Sequence, residues 1–292
     1  MIIKRVGPLA TSPMKLSLCN EVVRELPFDR QCELAAELGY QGLELAPFTL
    51  GEETYRMLAP ERAAARSACA NAGIAISGLH WLLVAPKGLS ITTPDGAVWN
   101  KTVDVMRRLV ELCADLGGGY LVHGSPAQRR TGGDPDAAAR AEAAWAAIAA
   151  DAQAAGVIYC IEPLAPSETD LVNTIAEAAL IVRRINNPAL RTMIDTSAAA
   201  MTEPEPVADA VERWMPTGLI AHIQLNDRNR RGPGQGMDAF APVLAALRRT
   251  GYKGWLAIEP FEYVPDGPTC AARSIGYVAG ILETLSCTMR RA

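Results

Sequence analysis

Residues 157–195, VIYCIEPLAPSETDLVNTIAEAALIVRRINNPALRTMID, hold the pattern that decides the fold. A short run rich in β-branched residues (157–162) leads into a polar, proline-bearing stretch, then a helical period (174–185), then a second short apolar run (192–195). This is one strand–helix–strand unit, and both of its strands stop at a carboxylate. The alternation continues outward in both directions. Toward the N-terminus the predicted strands are 15–19 (KLSLC), 42–45 (GLEL), 74–79 (IAISGL) and 120–123 (YLVH). Toward the C-terminus they are 219–225 (LIAHIQL) and 255–259 (WLAIE). The spacing predicts helices over 29–38, 60–72, 100–116, 135–155, 174–185, 206–215, 237–250 and 270–285. Several open at Asp29, Asp134-Pro135 or Glu205-Pro206, and several close at Gly39, Gly73, Gly117 or Gly251. Eight such units in 292 residues, without a Ser/Gly-rich linker or a charge block, predict an α/β fold. The expected architecture is a single (β/α)8 TIM barrel domain over 1–292. Two doubly wound domains are the alternative, but no GxGxxG occupies a strand-to-helix turn.

Composition narrows the function. Hydrophobic residues make up 49% and charged residues 21%, the balance of a soluble globular protein. A net charge of -4 leaves no diffuse positive field for nucleic acid or anionic lipid, so neither is an expected partner. Seven cysteines, odd in number, scattered and never in a CxxC pair, read as reduced and mostly packed thiols. The N-terminal stretch MIIKRVGPLATSPMKLSLCN has no apolar run of signal-peptide length, and no membrane-spanning run occurs elsewhere. The expected location is cytoplasmic.

In a TIM barrel the active site lies at the carboxyl ends of the strands. Strand five ends in Glu162, strand six in Asp195 and strand eight in Glu259, while strand seven carries Gln224 near its end. Any one of these could simply cap a helix or end a strand where water begins. Four in consecutive units can converge, and three carboxylates and an amide oxygen in a poorly solvated mouth repel one another unless a cation joins them. An all-oxygen set suits one hard divalent ion, Mn2+ first, with Mg2+ or Co2+ as alternatives. Glu162, Asp195, Gln224 and Glu259 are therefore the candidate metal ligands.

The chain has three histidines. His80 and His123 end strands three and four, where they are expected to contact substrate. His222 lies two residues before Gln224, on the same face one layer deeper, where it could orient that ligand or be a satisfied buried imidazole. The loop NDRNRRGPGQG (226–236) offers Arg230 to a substrate oxygen or anion, with Arg228 and Arg231 reading as solvated charges. Glu168 stands in the loop above strand five, where by itself it reads as a capping or surface carboxylate.

The stretches IEPL with Glu168 behind it, MIDT, AHIQLNDRNRRGPGQG and AIEPF resemble the xylose-isomerase-like barrels of the sugar isomerase and epimerase group. The likeness is to the D-tagatose 3-epimerase and hydroxypyruvate isomerase branches, and it spans most of the chain. It implies that Glu162 and Glu259 bind the metal and serve as the catalytic acid/base pair. It also implies that Asp195 is a ligand only, and that Glu168 and Arg230 bind substrate. Where the epimerases carry an HxH pair this chain has HIQ, as hydroxypyruvate isomerase-like members do. Where they carry a substrate-contacting His after the Asp-Thr pair it has Ala198.

The ligand set then implies a metal-dependent isomerase or epimerase acting on a ketose or keto-sugar through a cis-enediolate. A lyase or dehydratase acting on a keto-sugar, keto-inositol or keto-glycoside would use the same enolate. An endonuclease IV-like nuclease would need a histidine-rich cluster that three histidines do not supply. A non-catalytic sugar-binding barrel would bind ligand without proton exchange. The family suggests a homodimer or homotetramer, with Trp214 and Phe261 near exposed surfaces.

Overall fold

Strand β1 (Lys15–Cys19) pairs in parallel with both β2 (Gly42–Leu45) and β8 (Trp255–Ile258), and this double pairing closes the sheet. Between them run β3 (Ala75–Leu79), β4 (Tyr120–His123), β5 (Ile158–Ile161), β6 (Leu190–Asp195) and β7 (Ile220–Leu225), in chain order around a closed barrel. The computed structural model describes residues 14–288, so the expectation for the first thirteen residues lies outside the described part. The TIM barrel of the α/β class read from the sequence is the fold observed.

The outer layer consists of α1 (Phe28–Leu38), α2 (Ala59–Ala72), α3 (Gly96–Leu116), α4 (Ala137–Ala155), α5 (Ile175–Ile185), α6 (Thr196–Thr202), α7 (Val207–Trp214), α8 (Phe240–Arg249) and α9 (Gly267–Thr288). Gly39, Gly73 and Gly117 end α1, α2 and α3 in the left-handed conformation, as expected. Other terminal signals act differently. Pro27 holds the N-cap position of α1, so Asp29 lies inside the first turn, where its charge still favours the helix dipole. Helix α8 starts at Phe240 rather than 237 and reaches its C-cap at Thr250, one residue before Gly251. Helix α6 is not in the sequence reading: its N-terminus is set by Asp195, whose side chain accepts from the Ala198 N–H. No helix among the described residues is long and apolar enough to cross a membrane.

Side-chain parity separates two cores. Tyr120 of β4 reaches Glu44 of β2 and stacks on His222 of β7 at 3.9 Å, contacts possible only through the barrel axis. Tyr120 and Val122 therefore point inward, where they pack with Cys160 and Met193. The alternate residues face the helices and join a larger apolar layer that includes the fully buried Trp145 of α4. Truncating a buried side chain of that size costs about 3–5 kcal/mol. Six of the seven cysteines are buried, as expected of packed thiols, and Cys287 is exposed. Trp214, expected near the surface, is 8% exposed beneath α7 because its indole completes that helix's apolar face.

Candidate active site

Glu162, Asp195 and Glu259 meet at the carboxyl ends of β5, β6 and β8, with one oxygen of each within 4.8 Å of the others. All three are buried. Asp195 Oδ1 accepts the Ala198 N–H at 2.7 Å, which fixes the carboxylate at the start of α6 and leaves Oδ2 without a partner. Glu259 Oε1 lies 2.9 Å from His80 Nδ1, and its Oε2 is likewise unpartnered. Glu162 rests against Gly124, just beyond β4, where a methyl group would fall on the carboxylate. Any larger residue there would have to push the Glu162 carboxylate from its place.

Gln224 is the register partner of Asp195 across β6 and β7. Its amide nitrogen donates to Glu44 Oε1 at 2.7 Å, which leaves its Oε1 buried and unpartnered. Glu44 is the hub beneath the site. Its Oε2 accepts from the Tyr120 hydroxyl, and His222 Nε2 lies 2.9 Å from that same oxygen. Burial alone would raise its pKa, but His222, then His80 and Tyr120, hold it down to about 2. His222 thus stands one layer below Gln224 and reaches it through Glu44.

The electrostatics of the upper layer run the other way. Burial raises the carboxyl of Glu162 well above the usual range; Glu259 and Asp195 add to the rise, and Arg129 opposes it. Burial pushes Asp195 up to about 7 against the Ala198 N–H and Asn226. Burial also raises Glu259, against the pull of His80. Three desolvated acids beside unpaired oxygens form a donor set short of positive charge. A divalent cation fits it, because the three carboxylates each bring an oxygen within 4.8 Å of the others, and Asp195 Oδ2, Gln224 Oε1 and Glu259 Oε2 are buried without a protein partner.

A second group, Cys19, Glu21, His80 and Glu259, is equally close, but its His80 and Cys19 are already held by protein carboxylates. His80 Nε2 lies 3.0 Å from Glu21 Oε2 while Nδ1 faces Glu259, and Cys19 Sγ donates to Glu44 Oε1 at 3.7 Å. Burial disfavours charge on His80, yet Glu21 and Glu259 hold its pKa well above the ordinary value.

These contacts correct two expectations. His80 sits fully buried behind Glu259 with both ring nitrogens occupied, so no polar atom of its ring is left for a substrate. His123 has the opposite parity to Val122 and faces α4 rather than the mouth. Its Nδ1 accepts from Trp145 Nε1 at 3.1 Å and is 2.9 Å from the Tyr159 hydroxyl. Burial, reinforced by Arg129, lowers its pKa to about 3, so the ring is neutral.

Glu168 and Arg230 stand on the rim, with Arg230 Nη1 3.8 Å from Glu168 Oε1. Both line a cavity of about 190 Å³ together with Glu162, Asp195, Trp81, Arg228 and Phe261. Phe261, expected near exposed surface, is half-buried in this wall. Arg228 is paired with Asp238 at 2.6 Å rather than freely solvated.

Sequence reasoning missed Glu21, Glu44, Trp81, Arg129 and Asn226. Glu44 alone carried a signal, as a charge inside a short apolar strand. Asn226 ties the strand ends together, donating to the Glu259 carbonyl at 3.1 Å and accepting from the Ser197 N–H at 3.0 Å. Arg129 is wholly buried, with Nε and Nη2 unpartnered. Burial lowers it to about 10, with Glu162 and Glu168 opposing, so it remains a cation at neutral pH.

The chain matches the family model of the xylose isomerase-like TIM barrel over residues 32–279. It is 27% identical over 245 residues to D-psicose 3-epimerase of Ruminiclostridium cellulolyticum, covering 81% of this chain and 79% of that one. Over 212 residues it is 24% identical to a probable ketose 3-epimerase of Synechocystis sp., covering 69% and 70%. Among solved structures it resembles a D-psicose 3-epimerase crystallised in the presence of D-fructose, with a TM-score of 0.79, 21% identity and coverage of 92% and 99%. It also resembles the 3-keto-D-glucoside 4-epimerase of E. coli, with a TM-score of 0.77, 17% identity and coverage of 90% and 98%. At these identities the two structures speak to the fold.

Proposed function

The chain belongs to the xylose isomerase-like TIM barrels, and from that membership and the geometry of its mouth we propose that it is a divalent-metal-dependent sugar isomerase or epimerase. Its substrate in this reading is a small ketose or keto-sugar. The observation that carries the reading is the convergence of Glu162, Asp195 and Glu259 with buried oxygens that no protein group satisfies.

Glu162, Asp195, Gln224 and Glu259 would hold the ion, with Mn2+ first and Mg2+ or Co2+ as alternatives. Bound there it supplies Lewis-acid stabilisation of negative charge on adjacent carbonyl and hydroxyl oxygens. Glu162 and Glu259, raised in pKa by burial and set on different strands, are suited to exchange a proton with a substrate carbon. If one glutamate takes the proton from one face and the other returns it from the opposite face, the carbon inverts. Return to the neighbouring carbon interconverts aldose and ketose. Asp195, fixed by the Ala198 N–H, holds position without shuttling. His80 orients Glu259, Gly124 seats Glu162, and the Glu44 hub fixes which end of the Gln224 amide faces the mouth. Glu168 and Arg230 would grip the far end of the sugar. We place the enzyme in the cytoplasm as one catalytic domain over 1–292, a reading supported by the packed, unpaired cysteines.

The relatives named as ketose and psicose 3-epimerases favour inversion beside a ketose carbonyl. The test is incubation of the Mn2+-loaded protein with D-psicose and D-fructose in deuterated water. Interconversion with deuterium on the inverted carbon is expected. Loss of mass would mark a lyase or dehydratase instead, and no exchange with any ketose or keto-glycoside would contradict the reading.

A further inference from the structure

Three aromatic rings form a row on the rim of the cleft that the proton chemistry does not use. Phe48 follows β2, Trp81 follows β3 and Phe261 follows β8. The Trp81 ring lies 5.7 Å from each of the other two, inclined 34° to Phe48 and 25° to Phe261. Trp81 and Phe261 line the same cavity as Glu162, Asp195, Glu168 and Arg230. All three residues are half-buried rather than part of the closed core.

Trp81 also has φ 50°, in the left-handed region. A bulky residue held there is strained, and such strain clusters at ligand sites. A glycine would relieve it, so the backbone conformation does not call for tryptophan.

Charge points the same way. Arg228 is clasped by Asp238, which accepts from its Nε at 2.7 Å and its backbone N–H at 2.8 Å. The Arg230 guanidinium lies 4.7 Å over the Phe261 ring with Glu168 beside it. Both cations lining the cleft are therefore already matched by carboxylates, and the same wall adds Glu162 and Asp195. A phosphoryl group of about -2 charge would have to displace one of those partners and approach the others. A volume of about 190 Å³ also lies below the roughly 300–1,000 Å³ of drug-sized ligand sites, so it suits one small ring.

Resting on the reaction proposed above, we propose that Trp81 is the specificity-determining residue of this cleft. Its indole receives the C–H face of a neutral, unphosphorylated sugar chain while the carbonyl end is turned to the carboxylates. An apolar platform and pre-neutralised cations together select against sugar phosphates, which the carboxylate cluster alone would not do.

The experiment uses the full-length Mn2+-loaded protein and its Trp81→Ala and Trp81→Phe variants, with D-psicose, D-fructose and D-fructose 6-phosphate as probes. Saturation-transfer NMR is expected to show C–H protons of the free sugars in contact with the wild-type protein. Trp81→Ala should raise Kd and KM at least tenfold with kcat changed less than threefold. Trp81→Phe should stay within threefold of wild type, and the 6-phosphate should bind at least tenfold more weakly than D-fructose. Unchanged affinity in Trp81→Ala, equal or tighter binding of the phosphate, or no saturation of either free sugar would overturn the inference. Solvent deuterium exchange separates this from the reaction itself. Exchange with an unchanged KM in Trp81→Ala removes only the role of Trp81. Binding that depends on Trp81 without exchange in any of the proteins removes only the proton chemistry.

Discussion

Strands β5 to β8 end in Glu162, Asp195, Gln224 and Glu259, and buried oxygens of the last three have no partner. Strands β1 to β4 and the turns after them supply Glu21, Glu44, His80 and Tyr120, whose polar atoms bond to one another or reach across to the second half. At the mouth the second half is left electrostatically incomplete, while those four residues of the first half are matched by protein partners. Unpaired acids crowded together would collapse onto any flexible donor nearby. They stay open because the donors opposite are already committed, as preorganised sites require.

The sharpest way to break this contrast is to remove the proton carriers. Glu162→Gln or Glu259→Gln should lower turnover by roughly 10²–10⁴-fold while the melting curve stays cooperative. Steady-state assays beside thermal denaturation check this; full activity in either variant would remove the acid/base assignment. Next comes the saturated half. Glu44→Gln replaces an acceptor for the Gln224 amide and His222 with a group that also donates. Metal affinity should fall about 10–100-fold, read by metal titration, with kcat at saturating metal less affected.

Acidity distinguishes the halves by sign. Without metal, Asp195 is pushed up to about 7, and Glu162 and Glu259 are raised too. The fold keeps protons that the unfolded chain releases near pH 4, so their contribution is present below that pH and is lost as pH rises toward 7. The slope is about 1.4 kcal/mol per pH unit for each such group. Glu44, held down to about 2, does the opposite: its contribution is present above about pH 4.3 and is lost as pH falls toward 2. Urea unfolding with EDTA should therefore show stability falling from about pH 4.5 to 7, and added Mn2+ should flatten that fall. The smallest effect lies far from the mouth. Thr174 caps α5, accepting the Glu177 N–H while the Glu177 carboxylate accepts the Thr174 N–H. Thr174→Ala should cost about 1 kcal/mol of stability and leave turnover unchanged.

The same contrast explains what could be read from the sequence. The barrel was legible because each strand is a short apolar run between helical periods, and strand limits depend on local residues. The upper ligands were legible because each ends such a run. The supports were not, because the partners of Glu44 lie on β4 and β7 and those of His80 lie beyond β1 and β8, and only closure of the sheet brings them together. His123 was misplaced because the strand-end position did not reveal parity, which turned on Tyr120 and Val122 facing inward. Trp81 left no periodic signal, since its role depends on rings contributed by two other loops.

The most direct measurement is anomalous diffraction from a crystal of the protein soaked in Mn2+. One peak per chain is expected, contacted by Glu162, Asp195, the Gln224 carbonyl oxygen and Glu259. A peak elsewhere, or none at full soaking with those four side chains unmoved, would contradict the account.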